Sequence, residues 1–281
     1  MTENVGFLGL GAMGLGMAAN LVVAGHTVLG FDPSPERQEL ARAKGVTVVD
    51  SPRSVAEVTE RSLFSVVRTK EQTQDVLFGD DGVVAAGVPL NVAISSTLDP
   101  TTMAELATRL AAEGVTAVDT TMSGGPWGAE AGTLTLMVSG PQTAVTELDG
   151  LLRVIGENIF VVGDEVGTGQ ATKLAVQLAF GINMMGVFEA LEAVRKHDVD
   201  ESVLMRILSV SVGGSWVTEN WDRVTPWWKN HSPGGDLEIL LKDLRSVLRE
   251  ADQDVVSMPM SALTFQMLRH VWAGRADGLA P

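Results

Sequence analysis

With 281 residues, 45% of them hydrophobic, the chain is long enough to bury a large core and to form two domains. Its formal net charge of −15 at pH 7 would repel phosphate backbones, and no basic run offsets it, so we expect no nucleic acid partner. The chain has no cysteine, which excludes disulfides, thiolate metal ligands and a thiol nucleophile. This absence, and an N-terminus that enters a strand without a secretion signal, lead us to expect a cytoplasmic protein.

The N-terminal region predicts a strand, a glycine-rich turn and a helix. An apolar run at residues 5–8 leads into the turn, and a helical pattern follows it to about Ala24. The turn consists of Gly9, Leu10, Gly11, Ala12, Met13 and Gly14. Its glycines allow a tight turn, a close approach to a pyrophosphate and close packing of helix on strand. A second predicted strand, residues 26–31, ends at Asp32, where a carboxylate accepts hydrogen bonds from the adenosine ribose. The region therefore predicts a nicotinamide dinucleotide site.

Asp32 also bears on the choice of cofactor. Its carboxylate would lie where the 2′-phosphate of NADP must go, and Arg37 is the one nearby cation. The sequence therefore favours NAD and leaves NADP open.

Further along, apolar strand-like runs alternate with helical patterns, which predicts a parallel sheet with crossover helices. In chain order, the predicted strands are residues 62–67, 91–95, 115–119, 134–138 and 159–162. Residues 101–113 predict a helix that places Met103, Leu106 and Leu110 on one face. The fold class is α/β, with an N-terminal Rossmann-type, doubly wound sheet over residues 1–163.

After Gly167 the pattern becomes helical. Residues 174–188 are uncharged throughout, a run too short for a membrane span and interrupted by Gln177 and Asn183. We therefore expect a helix buried inside the protein or at a subunit interface, no association with a membrane, and an all-helical C-terminal domain over residues 164–281.

Lys173 opens this apolar helix. Lysine is rarely fully buried without a partner, and burial favours a neutral amine that can exchange a proton with a substrate hydroxyl or carbonyl. The alternative is a side chain that extends from the first turn to solvent. The residue pattern alone leaves both open. Gln177 lies one turn further along the same helical face.

Two hydroxyl-containing and glycine-containing segments follow predicted strands. Residues 95–97 close one strand and residues 121–125 follow another, at the sheet edge where open α/β sheets bind ligands. Hydroxyl groups and glycine N–H groups suit a carboxylate, although each segment alone is more often an ordinary turn. Further on, Lys242 and Asp243 have the pattern of a solvated charge pair on a helix.

Six motifs, in order, resemble those of the β-hydroxyacid dehydrogenase family, which includes the 3-hydroxyisobutyrate dehydrogenases. The motifs are residues 9–14, 96–100, 123–129, 132–134, 167–174 and 242–244. The resemblance spans nearly the whole chain. It implies a Rossmann domain followed by a helical domain of the 6-phosphogluconate dehydrogenase type, in homodimers or homotetramers that share the long helix. It also implies hydride transfer between NAD or NADP and a small, anionic 3-hydroxy acid or its semialdehyde.

The resemblance carries roles onto matching residues. It implies that Lys173 is the general acid/base, and that Lys242 reaches over the cofactor and the active site. The substrate-binding residues it implies are Ser123, Gly124, Gly125 and Gln177. Ser96 and Thr97 join the glycine-rich turn and Asp32 as cofactor-binding residues, and no metal ion is expected.

The chain departs from the family pattern at several positions. Gln177 stands where the family usually has asparagine, and Trp127 stands where it has a small or aliphatic residue. After the fourth strand, where many relatives have leucine-proline, this chain has Val67, Arg68 and Thr69. These departures bear on the substrate more than on the reaction. Three alternatives remain. One is an imine reductase of the same fold, which usually lacks the lysine, and another is a catalytically inactive dinucleotide-binding sensor. The third is a 6-phosphogluconate-type oxidative decarboxylase, which the chain length disfavours because that family has a larger helical domain.

Overall fold

The structure is a computed structural model that describes residues 2–229 and 235–273. The chain divides into two compact units, Met1–Lys173 and Leu174–Pro281. This division falls inside a helix, whereas the predicted domain boundary lies ahead of that helix, after residue 163. The predicted domain ranges stay a prediction.

The first unit contains an eight-stranded sheet in the order β3-β2-β1-β4-β5-β6-β7-β8. The strands are β1 Asn4–Leu8, β2 Thr27–Phe31, β3 Thr47–Val48, β4 Ser62–Ser65, β5 Asn91–Ile94, β6 Thr116–Ser123, β7 Leu134–Ser139 and β8 Gly156–Gly163. Neighbouring strands are parallel except β6 and β7, which are antiparallel. The order of the first six strands is that of a doubly wound dinucleotide-binding sheet, so the predicted fold class is confirmed.

Seven helices connect these strands. They are α1 Gly14–Val23, α2 Pro35–Ala43, α3 Pro52–Val58, α4 Lys70–Phe78, α5 Pro100–Ala112, α6 Gly125–Ala131 and α7 Gln142–Ile155, with a short 3-10 helix at Val83–Ala86. Local sequence explains several starts. At α5, Asp99 accepts a hydrogen bond from the Thr102 backbone N–H at 2.8 Å and Pro100 occupies the first turn.

Apolar side chains cover both faces of the sheet. Successive residues of a strand point to opposite faces, so Phe7 packs with α1 and α7 while Leu8 packs with α5. On α5, the predicted apolar face is confirmed: Met103, Leu106 and Leu110 are all buried.

The second unit is all-helical in its described residues. Its helices are α8 Thr168–Val194, which begins in the first unit, then α9 Glu201–Ser209, α10 Trp216–Glu219, α11 Trp221–Val224, α12 Pro226–Lys229, α13 Asp236–Gln253 and α14 Pro259–Trp272, with a 3-10 helix at Arg195–His197. A single core joins Met184 and Phe188 of α8 to Leu244 of α13 and Leu268 of α14. The all-helical C-terminal part is therefore confirmed.

The segment Thr168–His197 is long and apolar enough to cross a membrane by length and composition. Its most apolar window has a mean hydropathy of 1.5, and 39% of that window is buried. Core helices of globular proteins also have such compositions, so this finding alone does not indicate a membrane span.

Two details of the predicted sheet are wrong. The sheet is not entirely parallel, since β7 runs against β6. Residues 121–123, expected in a loop, are the last three residues of β6. Thr121 and Ser123 are residue types that are common in turns. The strand nevertheless continues through them, because β7 pairs with β6 from Asp119 to Ser123.

Replacement of a core leucine tests the packing. Leu148 of α7 is fully buried in the core beside β1 and β7, whereas Leu40 of α2 is 42% exposed. We expect Leu148→Ala to lower the free energy of unfolding by about 2–5 kcal/mol. The matched control, Leu40→Ala, should lower it by about 1 kcal/mol or less. Urea unfolding measures both, and equal losses would contradict the assigned core.

Candidate active site

The three glycines of the first turn have different surroundings. Gly9 has a φ of 89°, and a Cβ there would lie 2.4 Å from the Val66 carbonyl oxygen. A Cβ on Gly14 would lie 1.9 Å from the Gly9 carbonyl oxygen. Gly11 differs, because no heavy atom lies within 4 Å of the position that its Cβ would take. Gly9 and Gly14 are therefore required by the fold, while Gly11 leaves an open face where a pyrophosphate can approach the backbone.

Asp32 holds this turn in shape. Its Oδ2 accepts a hydrogen bond from the Leu10 backbone N–H at 2.8 Å, and its Oδ1 accepts one from the Ser34 N–H at 2.9 Å. The side chain is buried, and each oxygen has a second lone pair for a further donor such as a ribose hydroxyl. The sequence identified Asp32 as a ribose ligand but did not indicate this bond to the turn, which joins positions 22 residues apart.

Helix α1 begins directly after the turn. Met13 is its N-cap residue and provides no side-chain hydrogen bond, and the first turn of α1 contains no acidic residue. Ala12 immediately precedes the cap. The N-terminal amides of a helix bind phosphate, and here no side chain caps them. Together with the open face at Gly11, this arrangement fits a dinucleotide cofactor.

Ser96 and Thr97 follow β5 at the same edge of the sheet. The Ser96 hydroxyl donates to the Val67 carbonyl at 2.8 Å and accepts from the Thr73 hydroxyl at 3.2 Å. Ser96 is buried, whereas Thr97 is half-buried. The Ser96 hydroxyl thus ties the loop after β5 to the chain after β4, and the predicted cofactor contacts of both residues stay predictions.

The segment predicted to bind the substrate carboxylate begins where β6 ends. Ser123 is the last residue of β6 and is half-buried. Gly124 and Gly125 follow, with φ values of 131° and 65°. Residues other than glycine rarely adopt such a backbone conformation. A Cβ on Gly125 would also lie 2.7 Å from the indole of Trp127. The backbone here requires both glycines.

The first turn of α8 is hydrogen-bonded to side chains of β6 and β7. Asp119 of β6 accepts hydrogen bonds through Oδ2 from the backbone N–H groups of Gln170, at 2.8 Å, and Gly167, at 3.2 Å. The Ser139 hydroxyl on β7 accepts from the Gly169 N–H at 3.0 Å. The Thr121 hydroxyl donates to the Gly169 carbonyl at 3.0 Å. Strand side chains therefore satisfy the helix start, which otherwise has unpaired N–H groups.

Lys173 follows on α8, about one turn after Gln170. Its side chain is 8% exposed, so the structure favours the buried arrangement over one that reaches solvent.

Asp119 itself was missed in the sequence. Burial raises the pKa of its carboxyl to about 7, even though hydrogen bonds from Gln170, Gly167 and Ser139 act in the opposite direction. A usable signal was present, since an acidic residue at the end of a predicted apolar strand requires donors if it is buried.

In the second unit, Gln177 contacts a buried carboxylate. Its Nε2 donates to Oδ2 of Asp243 on α13 at 3.0 Å, and the Lys242 ammonium lies 2.8 Å from Asp243 Oδ1. Asp243 is 1% exposed, so the expectation of a solvated charge pair is wrong for this residue. Amphipathic α13 turns this position inward beside Leu240 and Leu244, where the Gln177 amide bonds its Oδ2.

Among the described residues, no group of three or more histidine, aspartate or glutamate side chains has an arrangement that would hold a metal ion.

The sequence matches two family models in succession. Residues 4–163 match the NAD binding domain of 6-phosphogluconate dehydrogenase. Residues 167–279 match the domain described as NAD-binding of NADP-dependent 3-hydroxyisobutyrate dehydrogenase.

Relatives match over nearly the whole chain. The L-threonate dehydrogenase of Cupriavidus necator is 35% identical over 272 residues, which cover 95% of this chain and 90% of that protein. The 3-hydroxyisobutyrate dehydrogenase of Pseudomonas aeruginosa is 36% identical over 271 residues, covering 94% and 90%.

Solved structures agree with these matches. The 3-hydroxyisobutyrate dehydrogenase from Salmonella typhimurium superposes with a TM-score of 0.86 at 28% identity, covering 99% of this chain and 96% of that chain. Another solved structure, in complex with NADP⁺, has a TM-score of 0.84 at 27% identity, covering 96% and 94%.

The glycine-rich turn at residues 9–14, the start of α1 and Asp32 together form a dinucleotide cradle. This cradle and the matched domains define an NAD(P)-binding oxidoreductase. The chain belongs to the β-hydroxyacid dehydrogenase family and is an NAD(P)-dependent 3-hydroxyacid dehydrogenase, whose substrate is a small hydroxy acid.

Two alanine substitutions separate cofactor binding from folding at the glycine-rich turn. Gly11→Ala adds a methyl group to an open face, so we expect normal thermal stability and a Kd for NADH raised about tenfold or more. Gly14→Ala places a Cβ against the Gly9 carbonyl, so we expect a lower Tm. Fluorescence titration and thermal unfolding measure the two effects. Wild-type affinity in Gly11→Ala would exclude the predicted approach of the cofactor.

Proposed function

We propose that this enzyme transfers hydride reversibly between NAD and a small 3-hydroxy acid or its semialdehyde, with Lys173 as the general acid/base. The observation that carries the proposal is the burial of Lys173 on a helix fastened to β6, the strand that ends at Ser123. NAD(P), when bound, accepts the hydride in oxidation and supplies it in reduction.

Lys173 moves the proton in this mechanism. During oxidation its neutral Nζ accepts the proton of the substrate hydroxyl as the carbonyl forms. During reduction its ammonium donates that proton to the carbonyl oxygen. A buried lysine suits both directions, because a site with little water makes the neutral and charged amines closer in free energy.

The substrate carboxylate is proposed to bind at Ser123, Gly124 and Gly125. A hydroxyl and the backbone of two glycines with positive φ offer hydrogen-bond donors without a bulky side chain. L-Threonate and 3-hydroxyisobutyrate, which name the relatives' activities, both have a carboxylate.

Gln177 is proposed to contact the rest of the substrate. The hydrogen bond from its Nε2 to Asp243 orients the amide that is proposed to contact a substrate hydroxyl. Because glutamine is one methylene longer than the family's asparagine, we infer a substrate of different size or angle.

We propose NAD as the preferred cofactor. The Asp32 carboxylate lies against the Leu10 and Ser34 amides, and its negative charge disfavours a 2′-phosphate beside it. Ser96, Thr97 and Lys242 are the further cofactor contacts proposed from the family pattern.

The proposed assembly is a homodimer or homotetramer that shares α8, in the cytoplasm, without nucleic acid or membrane partners. Support for the shared helix comes from Val176 of α8, which is 39% exposed although it lies in the uncharged run. The net charge of −15 supports the absence of a nucleic acid partner.

Substitution of Lys173 tests the central assignment. We expect Lys173→Met to lower kcat by about 10²–10⁴-fold, because the proton transfer loses its acid/base, while the Kd for NADH stays near that of the wild type. NADH absorbance, followed with L-threonate, 3-hydroxyisobutyrate and glycerate, measures turnover. Lys44→Met, at an exposed lysine after α2, is the matched control.

Near-normal turnover in Lys173→Met would refute the assignment. Tight cofactor binding by the wild type, with no turnover of any hydroxy acid or semialdehyde, would favour the sensor alternative. Turnover of cyclic imines instead would favour the imine reductase alternative.

A second variant addresses the substrate. Gln177→Asn shortens the side chain and removes its reach to Asp243, so we expect the KM for the hydroxy acid to rise about tenfold. The KM for NAD should not change. Gln142→Asn, at the exposed start of α7, controls for the loss of a methylene alone. Unchanged KM values in Gln177→Asn would remove Gln177 from the substrate site.

A further inference from the structure

Within residues 2–229 and 235–273, the buried carboxyl of Asp119 has no part in the proposed mechanism. It is 0% exposed, and its hydrogen-bonding partners are all donors. Besides the two backbone N–H groups on Oδ2, the Gln170 side-chain Nε2 donates to Oδ1 at 3.1 Å and the Ser139 hydroxyl lies 3.5 Å from Oδ2. An ionised carboxylate only accepts hydrogen bonds, so the ionised form matches this set of partners.

The partners have little freedom to rearrange. The Gln170 Oε1 accepts from the Leu98 N–H at 2.8 Å, and its Nε2 also donates to the Ser96 carbonyl at 3.0 Å. Rotating this amide would break both bonds. The Ser139 hydroxyl already accepts from Gly169, which leaves its hydrogen for Asp119. Among these groups, only the Ser139 hydroxyl could accept a hydrogen bond from a protonated Asp119, and only by turning its own hydrogen away from the carboxyl. Protonation would also remove one acceptor site from the N–H groups that Asp119 binds.

The helix start lies directly against this carboxyl. A Cβ on Gly169 would lie 2.8 Å from Asp119 Oδ2 and 2.9 Å from the Met137 carbonyl oxygen, so only glycine allows this approach. Because Lys173 is about one turn beyond Gln170, a shift of the first turn also moves the lysine.

We propose that Asp119 is a positioning residue for this enzyme, whose ionised carboxylate holds the first turn of α8 and thereby keeps Lys173 at its reacting position. The inference rests on the proposed role of Lys173. Asp119 acts through the helix, and it exchanges no proton with the substrate.

The surroundings of Asp119 contain few other charges. Neither β5 nor β7, its neighbours in the sheet, has a charged residue. On α5, which packs on the same face as Ala117, Glu105 and Arg109 are exposed. The segment before α8 contains Asp164 and Glu165, both exposed, and the next charged residue on α8 is Lys173. Burial and hydrogen bonds therefore set the ionisation of Asp119.

The direction of semialdehyde reduction separates the two titrations. Lys173 acts there as an ammonium, so lowering the pH cannot remove its proton and cannot reduce kcat. Protonation of Asp119 does reduce kcat, because it removes the ionised carboxylate that holds the helix start. This happens near pH 7, since the pKa of Asp119 is about 7. We therefore expect wild-type kcat for reduction to fall as the pH drops below about 7, at saturating NADH and semialdehyde.

Three variants test this expectation. Asp119→Asn should lower kcat about 10²-fold, with no acid limb between about pH 5.5 and about pH 8.5 and with an unchanged KM for NADH. Ser139→Ala removes one donor to the carboxylate, so its acid limb should move to higher pH. Asp149→Asn, at an exposed aspartate of α7, should retain the wild-type profile. A flat wild-type profile, or a wild-type limb in Asp119→Asn, would overturn the proposal.

A measurement of unfolding gives a readout without turnover. Between pH 3.8 and about 7, folded Asp119 retains a proton that the unfolded chain has lost. As the pH rises through this window, the free energy of unfolding of the wild type should therefore fall relative to that of Asp119→Asn. Above the window the difference between the two should be constant. A constant difference throughout would show that Asp119 does not titrate there and would overturn the proposal.

These tests are independent of the proposed general acid/base. Inactive Lys173→Met together with a pH-independent wild type would retain the proposed function and remove the role of Asp119. Active Lys173→Met would remove the proposed function, whatever the result for Asp119.

Discussion

Parallel pairing of β1, β2, β4, β5 and β6 is the constraint on which the dinucleotide cradle depends. Because these strands point the same way, their carboxyl ends meet at one edge of the sheet, and so do the loops that follow them. The glycine-rich turn follows β1, Asp32 follows β2, Ser96 follows β5 and Gly124 follows β6. Strand direction alone therefore brings residues that are far apart in the chain to one edge, and no ligand is needed to gather them.

The same edge contains several buried polar groups that hydrogen-bond to their neighbours. Asp32 and Asp119 accept backbone N–H groups, and the Ser96 hydroxyl donates to a backbone carbonyl. An unpaired carboxylate at such a site would be costly, whereas one surrounded by donors is tolerated and orders the loops that supply them. For Asp119, burial raises the pKa of the carboxyl more than its hydrogen bonds lower it, so that pKa is about 7.

Local patterns predicted the first strand, turn, helix and second strand, because each depends on neighbouring residues: apolar alternation, glycine geometry and an acid at a fixed spacing. The remainder depends on distant partners. Asp119 and Gln170 are 51 residues apart, and Gln177 and Asp243 are 66 apart. No spacing rule links such pairs, so the extension of β6 and the burial of both aspartates could not be read from the chain. The six motifs located the family residues but did not indicate which of them pair.

Family members named for different hydroxy acids match this chain over nearly its whole length, and the kinds of contact in the structure suggest how one fold can serve them. The turn that precedes Lys173 is held through its own backbone N–H and carbonyl groups, which bond to side chains of β6 and β7. Gln177 and Trp127 instead present side chains, and both depart from the family pattern here. At the proposed substrate site, a change in such a side chain would alter the space and the hydrogen bonds offered to a substrate without changing the bonds of the helix start. If Lys173 and Gln177 act as proposed, proton transfer and the choice of hydroxy acid depend on different kinds of contact and can evolve separately.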